Sequence, residues 1–449
     1  MKEVYQLYQD KLTTAEEAVK VVKSGDNVFY GEFVMTPPPL LDAALAGRTQ
    51  ELQDVIINGT SFTGFPLTVQ SDQEQQHFIL QDWHFSGLSR RLHDKRLCSY
   101  VPITYHQVPR IIHKYVDCDV AMVQVTPMSD KGFFNLGPAN SVTGANLDKA
   151  KTIIVEVNEK VPICLGGNGE AIHISRVDMI VEGKNPDLLQ IKPAPASETD
   201  KKIGQYVMNE IEDGSCLQLG IGGLPNVVGA FIADSDLKDL GVHTEMMVDS
   251  YVDMYNAGRI TGAKKSIDKY KMVYTFAMGS NKLYDFLDNN PMCAVYPVSY
   301  TNDPRMISLN DKVVALNNAL EVDLFGQVAS ESSGSRHISG TGGQFDFIFG
   351  AFNSKGGKGL ICINSTYSDK QGTLHSRINP TLMPGTIVTV PRSCVHYVIT
   401  EFGVAQLKGK STWQRAEALI EIAHPSFRDE LIEQAKEMNI WVRSNKLQG

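Results

Sequence analysis

Apolar positions along the chain switch between a helical and an extended spacing, and the switches divide it into elements. Near the start, Thr14 and Glu17 with Ala18, Val21 and Val22 read as a capping box opening an amphipathic helix that stops at Gly25, and the strand NVFYGEF follows. The β-branched runs VAMVQVTP (120–127) and TIIVEVN (152–158) are continuous in apolar residues and bounded by turn residues, as in buried parallel strands. The stretch 182–202, rich in Pro, Lys and Asp, breaks this rhythm.

Beyond it the rhythm resumes as helix (KIGQYVMNEIEDG), strand (CLQLGIG), helix (PNVVGAFIADS), strand (KMVYTFAMG), helix (NKLYDFLDN) and strand (AVYPVSY). VVALNNALEVDL reads as β-rich, TIVTVP and HYVITEF as late strands, and 414–438 as closing helices broken at Pro425. Strands alternating with helices predict an α/β protein with parallel-rich sheets. We place the division at the Pro-rich stretch, giving domains 1–190 and 191–449.

Length supports two domains, since 449 residues exceed what one ordinary core organises. Charge narrows the partners: 42 basic against 51 acidic residues give a net charge of -9, and no Lys/Arg run forms a footprint for nucleic acid. The N-terminal segment has neither the apolar core nor the Arg-rich, acid-poor composition of a targeting peptide, and no apolar run reaches the roughly 20 residues of a membrane helix. The seven cysteines, scattered and without a CxxC pair, predict a reducing cytoplasmic setting rather than a disulfide framework or zinc ribbon.

Several segments carry candidate chemistry. In QLGIGGLPN, Gly220, Ile221, Gly222, Gly223 and Leu224 lie between a strand and a helix that can start at Pro225, so backbone N–H groups can face an anion or a reacting carbonyl. The loop matches neither the dinucleotide fingerprint nor a Walker A sequence, and a tight turn explains it equally well. HISGTGGQFDF places Gly340, Gly342 and Gly343 before a helix-like run, and YTNDP offers the Asn302 amide or an ordinary Asx turn. Lys355 and Lys358 sit in the polar turn SKGGKG, where a phosphate contact competes with simple solvation. The loops 126–141 and 165–170 are either ligand loops or turns. No HExxH, His/Cys cluster or GxSxG elbow is present, so neither a metal nor a serine nucleophile is expected, and Cys394 with His396 reads as core. Glu245, after the run GVHT, reads from its neighbours alone as a capping or dipole partner.

The order of these segments changes that reading. From AEEAVKVVKSGDNV and IHISRVD through GIGGLPN, HTEMMVD, NALEVDLFGQVASES, SGTGGQFDF and YVITEFGVAQLKGK, the chain resembles the class I coenzyme A transferases, in the branch of acetyl-CoA hydrolases/transferases, 4-hydroxybutyrate and butyryl-CoA:acetate enzymes. Its C-terminal part is most similar to the butyryl-CoA:acetate members. The resemblance implies two similar open α/β domains with the active site in the cleft between them, and transfer of CoA from butyryl-CoA to acetate. A 4-hydroxybutyrate or other short-chain acyl transferase and an acetyl-CoA hydrolase are the alternatives. It further implies that Glu245 is the nucleophile, that the Asn302 side chain and the Gly343 N–H stabilise the oxyanion, and that Gly220 to Leu224, Leu320, Ser339, Gly343 and Lys355 contact CoA. CoA thioesters are substrates, no cofactor is implied, and the partners are an acyl-CoA, a short-chain carboxylate and further copies of the chain in a homodimer or homotetramer. Ser250 departs from the pattern, standing where many relatives have Gly.

Overall fold

The structure is a computed structural model that describes residues 2–191 and 195–442. Part of the Pro-rich stretch at the expected domain boundary, residues 192–194, lies outside the described residues. The chain forms two compact units. One comprises Met1–Lys192, Glu245–Met247 and Val273–Thr301, and the other Pro193–Thr244, Val248–Met272 and Asn302–Gly449.

The first unit is built on a seven-stranded sheet. In spatial order its strands are Ser99–Tyr100, Phe78–Asp82, Val55–Thr60, Asn27–Glu32, Val120–Val125, Thr152–Val157 and Met179–Glu182. Every pairing is parallel. The two runs expected as buried parallel strands are neighbours in it, and Val120–Val125 is buried at every position. One face packs Val28, Tyr30, Val55 and Ile57 against Leu41, Leu45 and Phe78. The other gathers Phe29, Ala121, Val123 and Val155 with Phe134 and with Phe276, Met278 and Tyr284 of the returning segment.

Six neighbouring strands of the second unit run in the order Gly241–His243, Cys216–Gln218, Val313–Asn318, Lys358–Cys362, Tyr397–Thr400 and Gly403–Gln406. Their pairings are parallel up to the last, which is an antiparallel hairpin. Both sheets fit the expected parallel-rich α/β class. The closing helices Thr412–Glu421 and Pro425–Glu437 break at Pro425, as the missing N–H of proline requires.

Some elements differ from expectation. Thr14 does cap, its hydroxyl accepting the Glu17 N–H at 3.3 Å, but the helix runs only Ala15–Ala18 before tightening to a 3-10 turn over Val19–Val21. The valines there restrict side-chain rotamers and weaken an α-helical continuation. AVYPVSY is a strand only to Val295; Pro297 ends it and the helix Val298–Thr301 follows. TIVTVP is not a strand. Only Val390 bridges, Thr389 N–H and Val390 N–H both reach the Val328 carbonyl, and Pro391 cannot extend a ladder. β-propensity alone misread that run.

Candidate active site

The glycine loop after strand Cys216–Gln218 is shaped by backbone requirements. Gly222 adopts φ +117 with ψ -177, a conformation closed to residues with a Cβ, and a Cβ at Gly223 would lie 2.8 Å from the Asp200 carboxylate. The helix starts at Gly223, earlier than expected, with Pro225 in its first turn where a missing N–H costs nothing. Among the described residues no side chain caps this end, so its first amides lack a side-chain acceptor. The loop is fixed from below: the Leu219 N–H donates to the Tyr251 hydroxyl at 2.7 Å, and the Thr244 hydroxyl donates to the Leu219 carbonyl at 3.4 Å.

Leu320 lies between strands Val313–Asn318 and Glu321–Asp323. Its N–H reaches the Ala329 carbonyl at 2.9 Å and its carbonyl accepts from Arg377 Nη1 at 2.7 Å. A cavity of about 200 Å³ joins it to the glycine loop, with Gly223, Leu224, Asn318 and Arg377 in the same wall.

The second glycine loop is pinned by Glu331. The N–H groups of Ile338 and Ser339 converge on its backbone carbonyl at 2.8 and 3.2 Å, while its carboxylate accepts the hydroxyls of Thr341 and Thr389. Burial pushes the Glu331 carboxyl above its ordinary pKa, and those two hydroxyls pull it partly back. The Ser339 hydroxyl donates to the Ser330 carbonyl at 3.2 Å. Gly342 has φ +52, turning the chain so that Gly343 stands at the mouth of the helix Gln344–Asn353. Gly343 is buried, and its N–H belongs to the uncapped end of a helix, where the dipole favours negative charge. Gln344 holds this end to the sheet through Nε2 and the Asn318 carbonyl at 2.6 Å.

Lys355 lies on the exposed turn after the same helix, Gln344–Asn353. Lys358 is paired with Glu210 at 2.9 Å. Asn302 is fully buried, directly before Asp303, which caps the helix Pro304–Ser308 by accepting the Arg305 N–H. Cys394 is half-buried and free, and burial lowers the pKa of His396 to about 4.

Glu245 follows strand Gly241–His243 and precedes the short strand Met246–Met247, which pairs in parallel with Phe276–Ala277. Helix Asp249–Asn256 starts too late for Glu245 to cap it. Its carbonyl accepts the N–H groups of Thr275 and Phe276 at 3.0 and 3.3 Å, so the backbone of this half-buried residue is held at a strand junction. Phe276 stacks on Phe33 with ring centroids 3.6 Å apart and planes at 7°, a contact of about 1 kcal/mol. Burial, then the nearby Glu32 and Glu245 carboxylates, push the Tyr105 hydroxyl well above its ordinary pKa, and it lies 2.5 Å from the Ser141 hydroxyl. A neutral phenol therefore lies within electrostatic reach of Glu245.

Tyr251, Glu331 and Arg377 escaped the sequence reading, because each acts through a partner distant along the chain.

The residues 1–187 match the acetyl-CoA hydrolase/transferase N-terminal domain, and 279–435 match the C-terminal domain of the same name. A butyryl-CoA:acetate CoA-transferase from Anaerostipes caccae is 52% identical over 98% of this chain and 99% of its own. A probable butyrate:acetyl-CoA coenzyme A-transferase from Syntrophomonas wolfei is 50% identical over 98% of both. Among solved structures, RipA from Yersinia pestis superposes with a TM-score of 0.88 at 36% identity, covering 97% of this chain and 99% of that one. Full-length likeness at this level, on both halves of the chain, means that the protein belongs to the acetyl-CoA hydrolase/transferase family.

Proposed function

We propose that the protein is a CoA-transferase that moves CoA from butyryl-CoA to acetate, giving butyrate and acetyl-CoA. The observation that carries this reading is the 52% identity over essentially the whole length of a butyryl-CoA:acetate CoA-transferase.

Glu245 is the nucleophile. Its carboxylate attacks the butyryl thioester carbonyl, forming a glutamyl-butyryl anhydride and releasing CoA thiolate. The thiolate attacks the glutamyl carbonyl, giving a glutamyl-CoA thioester and butyrate. Acetate then attacks that thioester, leaving an acetyl-glutamyl anhydride and thiolate, and the thiolate takes the acetyl group as acetyl-CoA and restores Glu245. No water or proton is consumed. Four attacks on activated carbonyls, two in each half-reaction, replace one unfavourable direct exchange.

A carboxylate is a weak nucleophile toward a thioester, so positioning and charge stabilisation must do much of the work. The backbone bonds that fix Glu245 serve the first. The Gly343 N–H at its helix mouth and the Asn302 amide serve the second. The loop Gly220 to Leu224, with Leu320 and Ser339, binds CoA, and its remote contacts are used at the reacting carbonyl.

The test is intact-protein mass spectrometry of the protein mixed with butyryl-CoA and no acceptor. An adduct of CoA mass on the Glu245 peptide, lost on adding acetate, is the expected result. CoA release without an adduct, and without need of acetate, would overturn the transferase reading in favour of a hydrolase.

A further inference from the structure

Glu32 ends the strand Asn27–Glu32 and is wholly buried, yet it takes no part in the steps proposed above. Its Oε2 accepts the Val142 N–H at 2.9 Å and the Thr143 hydroxyl at 3.0 Å. Those bonds grip the end of a loop, 138–143, whose other contacts lead toward Glu245. The Ser141 N–H donates to the Thr275 carbonyl at 3.1 Å, and the Pro138 carbonyl accepts the Ala277 N–H at 2.8 Å. Thr275 and Phe276 in turn donate to the Glu245 carbonyl, and Met246 pairs with Phe276. Successive sets of hydrogen bonds thus join Glu32 to Glu245, all within the first unit. The next residue bears on the same strand. Phe33 sits at φ +50, a left-handed conformation rarely adopted by a bulky side chain, and its ring stacks on Phe276.

We propose that Glu32 is a positioning residue for the reaction: through loop 138–143 it holds the strand Phe276–Ala277, and with it the backbone from which Glu245 attacks. The inference rests on the CoA-transferase reading with Glu245 as nucleophile. A residue that only filled space at this strand end would be apolar, because a buried carboxyl gives up its hydration and recovers it only through the bonds it makes. The bonds to Val142 and Thr143 both fall on the loop, so that is where the carboxyl acts. A carboxylate is a weak nucleophile, and a small displacement of its backbone is felt in the rate of attack. Affinity for CoA is affected far less, since the loop Gly220 to Leu224 assigned to CoA belongs to the second unit and takes no part in these bonds.

Single-turnover kinetics on the full chain test this. Each protein is mixed with butyryl-CoA and no acceptor, and growth of the CoA adduct on Glu245 is followed by quenched intact-protein mass spectrometry. The readouts are a rate constant, which an unfolded fraction does not alter, and a half-saturating concentration. Glu32→Ala lowers the rate constant at saturation by about 10- to 100-fold and leaves the half-saturating concentration within about twofold. Glu32→Gln, which keeps an oxygen for the Val142 N–H, regains most of that rate. Glu156→Ala is the control: this buried carboxylate of the same sheet serves the Leu40 and Leu41 amides, and its loss costs stability but not rate. Thr143→Val removes one bond of the tie, lowers the rate by a smaller factor, and decides the matter should Glu32→Ala not fold. Unchanged rate constants in Glu32→Ala and Thr143→Val, an equal loss in Glu156→Ala, or a loss confined to the half-saturating concentration would overturn the proposal. If the wild type itself forms no adduct on Glu245, the transferase reading fails and this inference with it; an adduct in the wild type at the same rate as in the variants sinks this inference alone.

Discussion

The Tyr251 hydroxyl accepts the Leu219 N–H at 2.7 Å, tying helix Asp249–Asn256 to the residue that opens the glycine loop. Both residues are fully buried, so no water replaces either partner. Tyr251→Phe strands the Leu219 N–H and costs about 1 to 3 kcal/mol of stability. Urea denaturation measures that loss. Because the loop below Gly220 is loosened while Glu245 is untouched, KM for the acyl-CoA rises more than kcat falls. A variant as stable as wild type would show that the bond is dispensable.

Shortening the proposed nucleophile separates position from identity. Glu245→Asp withdraws the carboxylate by one methylene, and a misplacement of that order costs about 10²-fold in kcat. Glu245→Gln removes the proposed nucleophile, and activity falls by at least ~10³-fold. Steady-state kinetics with butyryl-CoA and acetate distinguishes them; equal loss in both would mean that a carboxylate one methylene short is no better than none, so that position rather than charge decides.

Glu32 makes stability depend on pH. It is fully buried, and its Oε2 accepts from Val142 N–H at 2.9 Å and from the Thr143 hydroxyl at 3.0 Å. Burial pushes its pKa from 4.5 up to about 7, against the pull of those donors. The folded state therefore holds a proton that the unfolded chain releases above pH ~4.5. Its contribution is fully present below that value and fades as pH rises to about 7, a swing on the order of 3 kcal/mol. Glu32→Gln should flatten the stability profile between those limits, as followed by denaturant midpoints. An unchanged slope would place the pH dependence elsewhere, for example on Asp82, whose pKa burial also raises, to about 6.

Gly229 and Ser250 form a coupled pair. A Cβ at Gly229 would lie 2.5 Å from the Ser250 Cβ, and the Ser250 hydroxyl is buried with no partner. Ser250→Ala relieves the unpaired hydroxyl and stabilises by about 1 kcal/mol. Gly229→Ala destabilises by about 1 to 3 kcal/mol through overpacking, but in a Ser250→Gly background the clash is gone and the helix gains from alanine. Thermal melts of the four proteins give the coupling; strict additivity would refute the contact.

What was legible in the sequence follows what leaves a mark there. Gly222 and Gly342 are marked because their backbone conformations exclude other residues, and the runs 120–127 and 152–158 because strands buried on both faces are apolar throughout. Glu245 was visible only in the order of motifs around it. Its immediate neighbours resemble a helix cap, whereas in the structure it stands at a strand junction. Tyr251 and Arg377 left no mark, since their partners are 32 and 57 residues away and neither a lone tyrosine nor a lone arginine announces a carbonyl or amide at that distance.

The interleaving of the two units along the chain has a consequence for inheritance. A gene fragment that stops at residue 192 encodes the first sheet without Phe276, Met278, Tyr284 and Val298, which belong to its core. Recombination at that point would part the first unit from a piece of its own core, so an exchange of that unit between relatives would have to move three separate stretches together.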